Sequence, residues 1–72
     1  MYTVFLAIPC YNEQEVLPET SKQLREKMNS LINSGKISDK SRIVFINDGS
    51  ADNTWQIISE LHSSDKIFQG IK

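Results

Sequence analysis

Cysteine is nearly absent from this sequence, since Cys10 is the only one among 72 residues. A single thiol can form neither an internal disulfide nor a cysteine-based zinc cluster, which excludes two common means of stabilising a short chain. An unbridged thiol is typical of a reducing compartment, so we expect a cytoplasmic location. A chain of this length has room for one small domain and no second one.

An excess of charge of one sign is also lacking. Eight Lys and Arg against nine Asp and Glu leave a formal net charge of -1, without the basic stripe that binds a phosphate backbone, so nucleic acid is not an expected partner. No apolar run approaches the ~20 residues of a membrane span, and the first residues do not resemble a signal peptide. The sequence has neither the G-x-G-x-x-G fingerprint nor a Walker lysine motif, which disfavours dinucleotide and ATP sites of those kinds.

Two short apolar runs, residues 4–8 and 43–46, are the clearest features that the sequence does contain. They have no polar alternation, a pattern typical of parallel strands that are covered on both faces. Pro9 is expected to end the first strand, and the polar segment 47–50 ends the second. Residues 66–71, interrupted by Gly70, form the best candidate for a third strand.

Two amphipathic segments separate these strands. In the first, mostly apolar residues recur at alternating steps of four and three, which predicts one buried helix face: Leu17, Ser21, Leu24, Met28 and Leu31. It predicts a helix that begins near Val16, has Pro18 in its first turn and ends before a left-handed Gly35. A second helix is predicted over residues 53–62. The order β-α-β-α-β predicts an α/β fold, one half of a doubly wound, Rossmann-like parallel sheet.

In open α/β sheets, ligands bind at the carboxyl ends of the strands, which here are residues 9–13 and 47–50. The carboxylate of Asp48 is a pure acceptor that suits uracil N3–H or guanine N1–H. Tyr11 offers an aromatic face for stacking, worth about 1–3 kcal/mol in other base-binding sites. Glu13 has the reach for a ribose hydroxyl. If the two loops emerge side by side, these three residues form a nucleoside clamp, but none is positioned to bind a diphosphate.

Each of these residues has a simpler interpretation when it is considered alone. Residues 48–50 could be an ordinary turn with a helix cap, Tyr11 a half-buried loop aromatic, and Glu13 a favourable charge near a helix N-terminus. The pairing of the two loops favours a binding site. Other notable side chains are expected to be structural: Asp52 or Ser50 as a helix cap, Cys10, Met28 and Trp55 as packing residues, and His62 as a solvated side chain.

Two segments together resemble the start of family 2 glycosyltransferases of the GT-A type: Ile8-Pro9-Cys10-Tyr11-Asn12-Glu13 and Val44-Phe45-Ile46-Asn47-Asp48-Gly49-Ser50-Ala51-Asp52-Asn53-Thr54. The sequence is most similar to the branch that includes dolichol-phosphate mannosyltransferase and bactoprenol glucosyltransferase. The resemblance implies that five residues line the nucleotide site of the sugar donor: Pro9, Tyr11, Glu13, Ile46 and Asp48. Asn47 stands where the family usually has a further aspartate.

The same resemblance implies an inverting transfer from a UDP- or GDP-sugar to a polyprenyl phosphate or glycan, in cell wall or polysaccharide biosynthesis. The Asp-x-Asp motif that binds Mg²⁺ or Mn²⁺ in the family is not found here. Residues 1–72 are therefore expected to form a single partial domain, the nucleotide-binding part of the catalytic domain, with no catalytic residue, no metal ligand and no activity alone. The full-length protein would use Mg²⁺ or Mn²⁺ and associate with the cytoplasmic face of a membrane.

Two other functions remain open from the residues alone. The chain could be a stand-alone α/β module that binds a different small molecule or a protein through the same loops. A redox or signalling domain with a flavodoxin-like beginning is a weaker alternative, because Cys10 has no second reactive group beside it. Whichever function applies, the first strand would lie at an edge of a sheet ordered 3-2-1 in these residues, whereas later strands would cover it in a complete glycosyltransferase. We therefore expect self-association through that strand.

Overall fold

Three strands alternate with two helices in the computed structural model, which describes residues 2–72. The elements are β1 (Phe5–Cys10), α1 (Leu17–Asn33), β2 (Arg42–Asn47), α2 (Thr54–Ser64) and β3 (Phe68–Ile71). The strands form one parallel sheet in the order β1-β2-β3. The predicted α/β class, the order of elements and the edge position of the first strand are confirmed.

Both helices pack on the same face of this sheet, which we call the helix face. Leu17 and Met28 of α1 share one buried cluster with Ile58 of α2 and with Phe45 and Phe68 of the sheet. The rings of Phe45 and Phe68 stack with their centroids 5.8 Å apart. The hydrophobic core therefore lies between the helices and this face.

The opposite face, which we call the open face, has no helix on it within residues 2–72. Phe5, Ala7 and Pro9 of β1 are exposed there, and so is Ile71 of β3. The prediction that the first strand is covered on both faces is thus wrong for the described chain. The physical reason is topological: each crossover moves one strand in the same direction, and crossovers of the same hand then place both helices on one side.

The strand β1 continues through Pro9 to Cys10, so the prediction that Pro9 ends it is wrong. The N–H groups of Arg42 and Asp48 donate to the carbonyls of Val4 and Cys10, so the even-numbered residues of β1 have their carbonyls directed towards β2. The nitrogen of Pro9 is therefore directed towards the free edge. Proline is tolerated in edge strands because its missing N–H interrupts no ladder hydrogen bond there.

The boundaries of α1 follow the predicted signals. Pro18 lies in its first turn, and Leu17 is buried with Ser21 and Met28 on the predicted stripe. At the other end Gly35 has a φ of 75°. Its N–H donates to Ile32 O and the N–H of Lys36 donates to Leu31 O, the pair of bonds of a Schellman cap.

The second helix ends two residues later than predicted and β3 begins two residues later. After α2, the N–H of Phe68 donates to Asp65 O at 3.1 Å, and the N–H of Ile67 donates to Asp65 Oδ1 at 3.1 Å. This turn occupies the residues that were predicted to begin the strand. No helix within residues 2–72 has both the length and the apolar character needed to cross a membrane.

Candidate functional site

The two loops that the sequence singled out emerge next to each other. Loop A (residues 11–16) follows β1 and loop B (residues 48–53) follows β2. Cys10 and Asn47 are partners in the parallel register, and the N–H of Asp48 donates to Cys10 O at 2.9 Å. Tyr11 and Asp48 therefore leave neighbouring strands at the same level, where adjacent backbones are separated by about 4.8 Å.

Two other predicted site residues lie directly below this point. Pro9 and Ile46 are register partners on the open face. Tyr11 and Asp48 follow them by two residues each, and the alternation of side chains along a strand predicts the same side for them. Tyr11 is 60% exposed and Asp48 is also exposed. One corner of the sheet thus combines an aromatic ring, a carboxylate and two apolar side chains, all accessible to a ligand.

Glu13 takes a different place from the other predicted residues. Its N–H donates to Thr54 Oγ1 at 2.8 Å, and Glu13 is only partly exposed. It lines an open cavity of about 490 Å³ whose walls are Asn12, Glu13, Gln14, Glu15, Val16 and Asp52. Tyr11 and Asp48 do not line this cavity. The structure therefore places Pro9 and Ile46 side by side on the open face, has Tyr11 and Asp48 follow the ends of the same two strands, and sets Glu13 apart in the loop cavity.

The two loops are joined by reciprocal hydrogen bonds between side chains of one and backbone of the other. The N–H of Asn12 donates to Ser50 Oγ at 2.9 Å, and Asn12 Oδ1 accepts from the N–H of Ala51 at 2.8 Å. Gln14 Oε1 accepts from the N–H of Asn53 at 3.0 Å. Asn12 has a φ of 51°, a conformation that asparagine tolerates better than most residues. These contacts fix the position of loop A relative to loop B.

Asp52 is the acceptor that connects the loops to α2. Its Oδ1 accepts from the N–H of Thr54 at 3.0 Å and from the hydroxyl of Thr54, and its Oδ2 accepts from the N–H of Gln14 at 3.3 Å. The hydrogen bond from the Thr54 side chain lowers the pKa of Asp52 below its ordinary value of 3.8, with further lowering by the backbone N–H groups of Thr54 and Gln14. Because its pKa is lowered, ionised Asp52 stabilises the folded chain above about pH 4, and this contribution is lost as the pH falls through the pKa of Asp52 in the folded state. Asp52 therefore accepts from a free N–H group at the start of α2, as predicted, although the N-cap position itself is occupied by Asn53, which makes no side-chain capping hydrogen bond.

Cys10 lies beneath the loops on the helix face. It is 2% exposed, and burial raises the pKa of its thiol above the ordinary value of 9.0, with a second contribution from the negative charge of Glu13. A thiol with a raised pKa is a poor nucleophile. Its predicted role as a small packing residue is confirmed.

Asn47 ends β2 on the helix face, at the position where the resemblance leads one to expect an aspartate. Its Oδ1 is buried and accepts no hydrogen bond from the described residues. A carboxylate in the same place would leave a charge without a donor, which costs more free energy than an unpaired amide oxygen. The amide is therefore compatible with this position.

The described residues contain no metal centre built from protein side chains alone. Within residues 2–72, no group of three or more His, Cys, Asp or Glu side chains is arranged to hold a metal ion. The carboxylate of Asp52 is already engaged with Thr54 and Gln14. No chemical step through a metal is therefore assigned to these residues.

Sequence reasoning missed four residues that build the site: Asn12, Gln14, Ser50 and Thr54. Each is a short or flexible polar residue that follows a predicted strand, and such residues are common in any loop. Their partners are 38 to 41 positions away in the sequence. A pattern within one loop could not have identified them.

Known proteins are similar to this chain over most of its length. Residues 5–72 match the family described as Glycosyl transferase family 2. The chain is also 42% identical over 67 residues to the protein named "Uncharacterized glycosyltransferase YkoT" from Bacillus subtilis (strain 168), a match that covers 93% of this chain and 20% of that protein. The chain thus spans about a fifth of the length of this relative. No solved structure matches it significantly. Because the family match extends over nearly the whole sequence, this chain belongs to glycosyl transferase family 2.

Proposed function

We propose that these residues form the nucleotide-binding part of an inverting glycosyltransferase that takes its sugar from a UDP- or GDP-sugar. One observation supports this most strongly: loops A and B are joined at the carboxyl end of the sheet, next to exposed Tyr11 and Asp48. Ligands of open α/β sheets bind at this edge. Membership of the family is consistent with the same role.

In this proposal each exposed group recognises one part of the nucleotide. Asp48 accepts a hydrogen bond from uracil N3–H or guanine N1–H, and Tyr11 stacks on the base. Pro9 and Ile46 form the apolar floor beneath it. Glu13, in the wall of the loop cavity, accepts from a ribose hydroxyl. Since both loops are held by hydrogen bonds before any ligand arrives, little ordering entropy opposes binding.

The acceptor that we propose for the full-length enzyme is a polyprenyl phosphate, on the resemblance of the two strand-end motifs. Such an acceptor already has a nucleophilic oxyanion, so it needs little or no general base. We place the expected Mg²⁺ or Mn²⁺ on carboxylates outside residues 1–72, because the Asp-x-Asp motif that the resemblance implies for the metal is not found in this sequence. We also propose a cytoplasmic location for these residues.

Calorimetric titration of the 72-residue chain with UDP, GDP and UMP tests the proposed site. We expect one base to be preferred, and Tyr11→Ala to weaken binding by about 1–3 kcal/mol through loss of stacking. Asp48→Ala should weaken it by about 1.5–3 kcal/mol through loss of a hydrogen bond to a charged group. Incubation with labelled UDP- and GDP-sugars and a polyprenyl phosphate should give no transfer.

The chain offers matched controls at the opposite end of the sheet. Tyr2 is 81% exposed and Asp39 is exposed in the loop before β2, so Tyr2→Ala and Asp39→Ala remove the same groups far from the site. Both controls should bind like the unmodified chain. Binding without preference among the nucleotides, or an Asp48→Ala variant with unchanged affinity, would contradict the proposal and favour a module for another ligand.

A further inference from the structure

Thr54 and Asp52 lie next to the proposed nucleotide site, where Asp52 lines the loop cavity together with Glu13, and neither is among the residues proposed to contact the ligand. Thr54 is fully buried at the first turn of α2. Its hydroxyl donates to Asp52 Oδ1 and its oxygen accepts from the N–H of Glu13 at 2.8 Å. A relay of three groups thus connects the carboxylate to the backbone of loop A.

The direction of this relay is determined by the carboxylate. Asp52 has no hydrogen to donate, so the single hydroxyl hydrogen of Thr54 must point towards it. The lone pairs of Thr54 Oγ1 are then free to accept from the N–H of Glu13. Hydrogen bonds aligned in this way polarise and strengthen one another.

Asp52 also holds loop A directly. Its second oxygen, Oδ2, accepts from the N–H of Gln14. Three donors therefore converge on one carboxylate, two from the start of α2 and one from loop A. An asparagine of the same shape could keep one oxygen facing Thr54, but its NH₂ group would then face the N–H of Gln14.

We propose that Asp52 and Thr54 are positioning residues of the nucleotide site: they hold the backbone of Glu13 and Gln14 against loop B, so that Tyr11 and Glu13 are in place beside Asp48. This inference rests on the proposed function for its ligand. The hydrogen-bond network itself is independent of any ligand. A misplacement of about 1 Å in a supporting group can cost a site about a hundredfold in performance, so removal of the relay should affect affinity without removal of a ligand contact.

The experiment combines two measurements on the 72-residue chain. Amide hydrogen exchange, followed by NMR without nucleotide, reports the N–H groups of Glu13, Gln14 and Thr54. Calorimetry with UDP and GDP reports affinity. The variants are Asp52→Asn, Thr54→Val, which lacks the hydroxyl, and Thr54→Ser, which retains it. Asp65→Asn is the matched control, because Asp65 also accepts from a backbone N–H in a loop, but before β3 at the other end of the sheet.

We expect Asp52→Asn and Thr54→Val to accelerate exchange of the loop A amides and to weaken nucleotide binding by about ten- to a hundredfold. The sheet amide of Ile43, which donates to Ile67 O, should remain protected and shows that the fold persists. Thr54→Ser and Asp65→Asn should resemble the unmodified chain in both measurements. Rescue by serine distinguishes the hydroxyl from the packing of the threonine side chain.

Three results would overturn the inference. Unchanged exchange of loop A in Asp52→Asn and Thr54→Val would show that the relay does not hold the loop. Accelerated exchange with unchanged affinity would show that the relay holds the loop but does not position the site, and it would leave the proposed function intact. Failure of the unmodified chain to bind any nucleotide would contradict the proposed function. The positioning role of Asp52 and Thr54 would then have no nucleotide site to support.

Discussion

The two faces of the sheet are made from the same strands but differ completely in their surroundings. On the helix face Ile43 and Phe45 are 0% exposed and Phe68 is 1% exposed. On the open face Phe5 is 64% exposed and Ile71 is 54% exposed. Large apolar side chains occur on both faces.

This difference shows that apolar composition and structural burial are separate properties in this chain. The helix face supplies the stability, because its side chains are removed from water and packed against α1 and α2. The open face contributes little to the stability of these residues. It includes Pro9 and Ile46, which lie beneath the proposed nucleotide site. The four predictions below test this contrast.

The largest effect is expected for Phe45→Ala on the helix face. This change removes a fully buried ring and the stacking contact of that ring with Phe68. The loss should lower the free energy of unfolding by about 3–5 kcal/mol. Chemical denaturation followed by circular dichroism measures it. Phe5→Ala on the open face is the matched control and should change stability by less than about 0.5 kcal/mol. Equal losses in the two variants would remove the contrast between the faces.

A smaller loss is expected for Gly70→Ala in β3. A Cβ at this position would lie 2.5 Å from Ile58 Cγ2 and 3.1 Å from the Trp55 ring, so the side chains of Ile58 and Trp55, or α2 as a whole, must shift. We expect a loss of about 1–3 kcal/mol from overpacking, seen as a lower denaturation midpoint. The adjacent Gln69 is exposed, and Gln69→Ala should leave the midpoint nearly unchanged. A neutral Gly70→Ala would mean that the close approach of α2 to β3 is not required.

Thiol labelling compares the faces within a single strand. Cys10 is buried on the helix face and has a raised pKa, so it should react slowly with iodoacetamide at neutral pH until denaturant is added. A new cysteine at exposed position 7, introduced as Ala7→Cys together with Cys10→Ala, should be modified to completion under the same conditions. Mass spectrometry measures both. Rapid labelling of native Cys10 would show that the helix face opens easily.

The smallest change in the stability of the monomer, below about 0.5 kcal/mol, is expected for Phe5→Lys. The main effect of this variant should be weaker self-association of the chain. The nitrogens of Phe5 and Ala7 are directed to the free edge of β1, and residues 1–12 contain no charged side chain that would oppose pairing with a second copy. At the other edge of the sheet, His62 Nδ1 donates to the backbone carbonyl of Phe68 at 2.7 Å. This carbonyl of β3 is therefore already engaged and less available for pairing with a second copy.

Light scattering across micromolar concentrations measures this self-association. The unmodified chain should form oligomers, Phe5→Lys should be mainly monomeric, and Gln69→Lys on β3 should associate like the unmodified chain. A clean monomer of the unmodified chain would contradict the predicted association. Loss of association in Gln69→Lys would assign it to the open face in general rather than to the edge of β1.

Local patterns predicted the elements because each depends on residues close together in the sequence. The spacing of Leu17, Ser21 and Met28 predicted the buried stripe of α1, and Gly35 predicted its left-handed end. Burial of Met28 and partial burial of Trp55 against Gly70 also agree with their predicted packing roles. The binding roles of Pro9, Tyr11, Glu13, Ile46 and Asp48 stay a prediction that the titrations above address.

The sequence by itself determined the α/β class, the order of the elements and the sheet edge at which polar loop residues collect, because hydrophobic spacing and turn residues act over a few positions. Only the tertiary structure decided which face of the sheet the helices cover, since an unbroken apolar run does not distinguish one covered face from two. It also decided how loop A is joined to loop B. Those hydrogen bonds connect residues about 40 positions apart, and they form only when parallel strands bring the two loops to the same level.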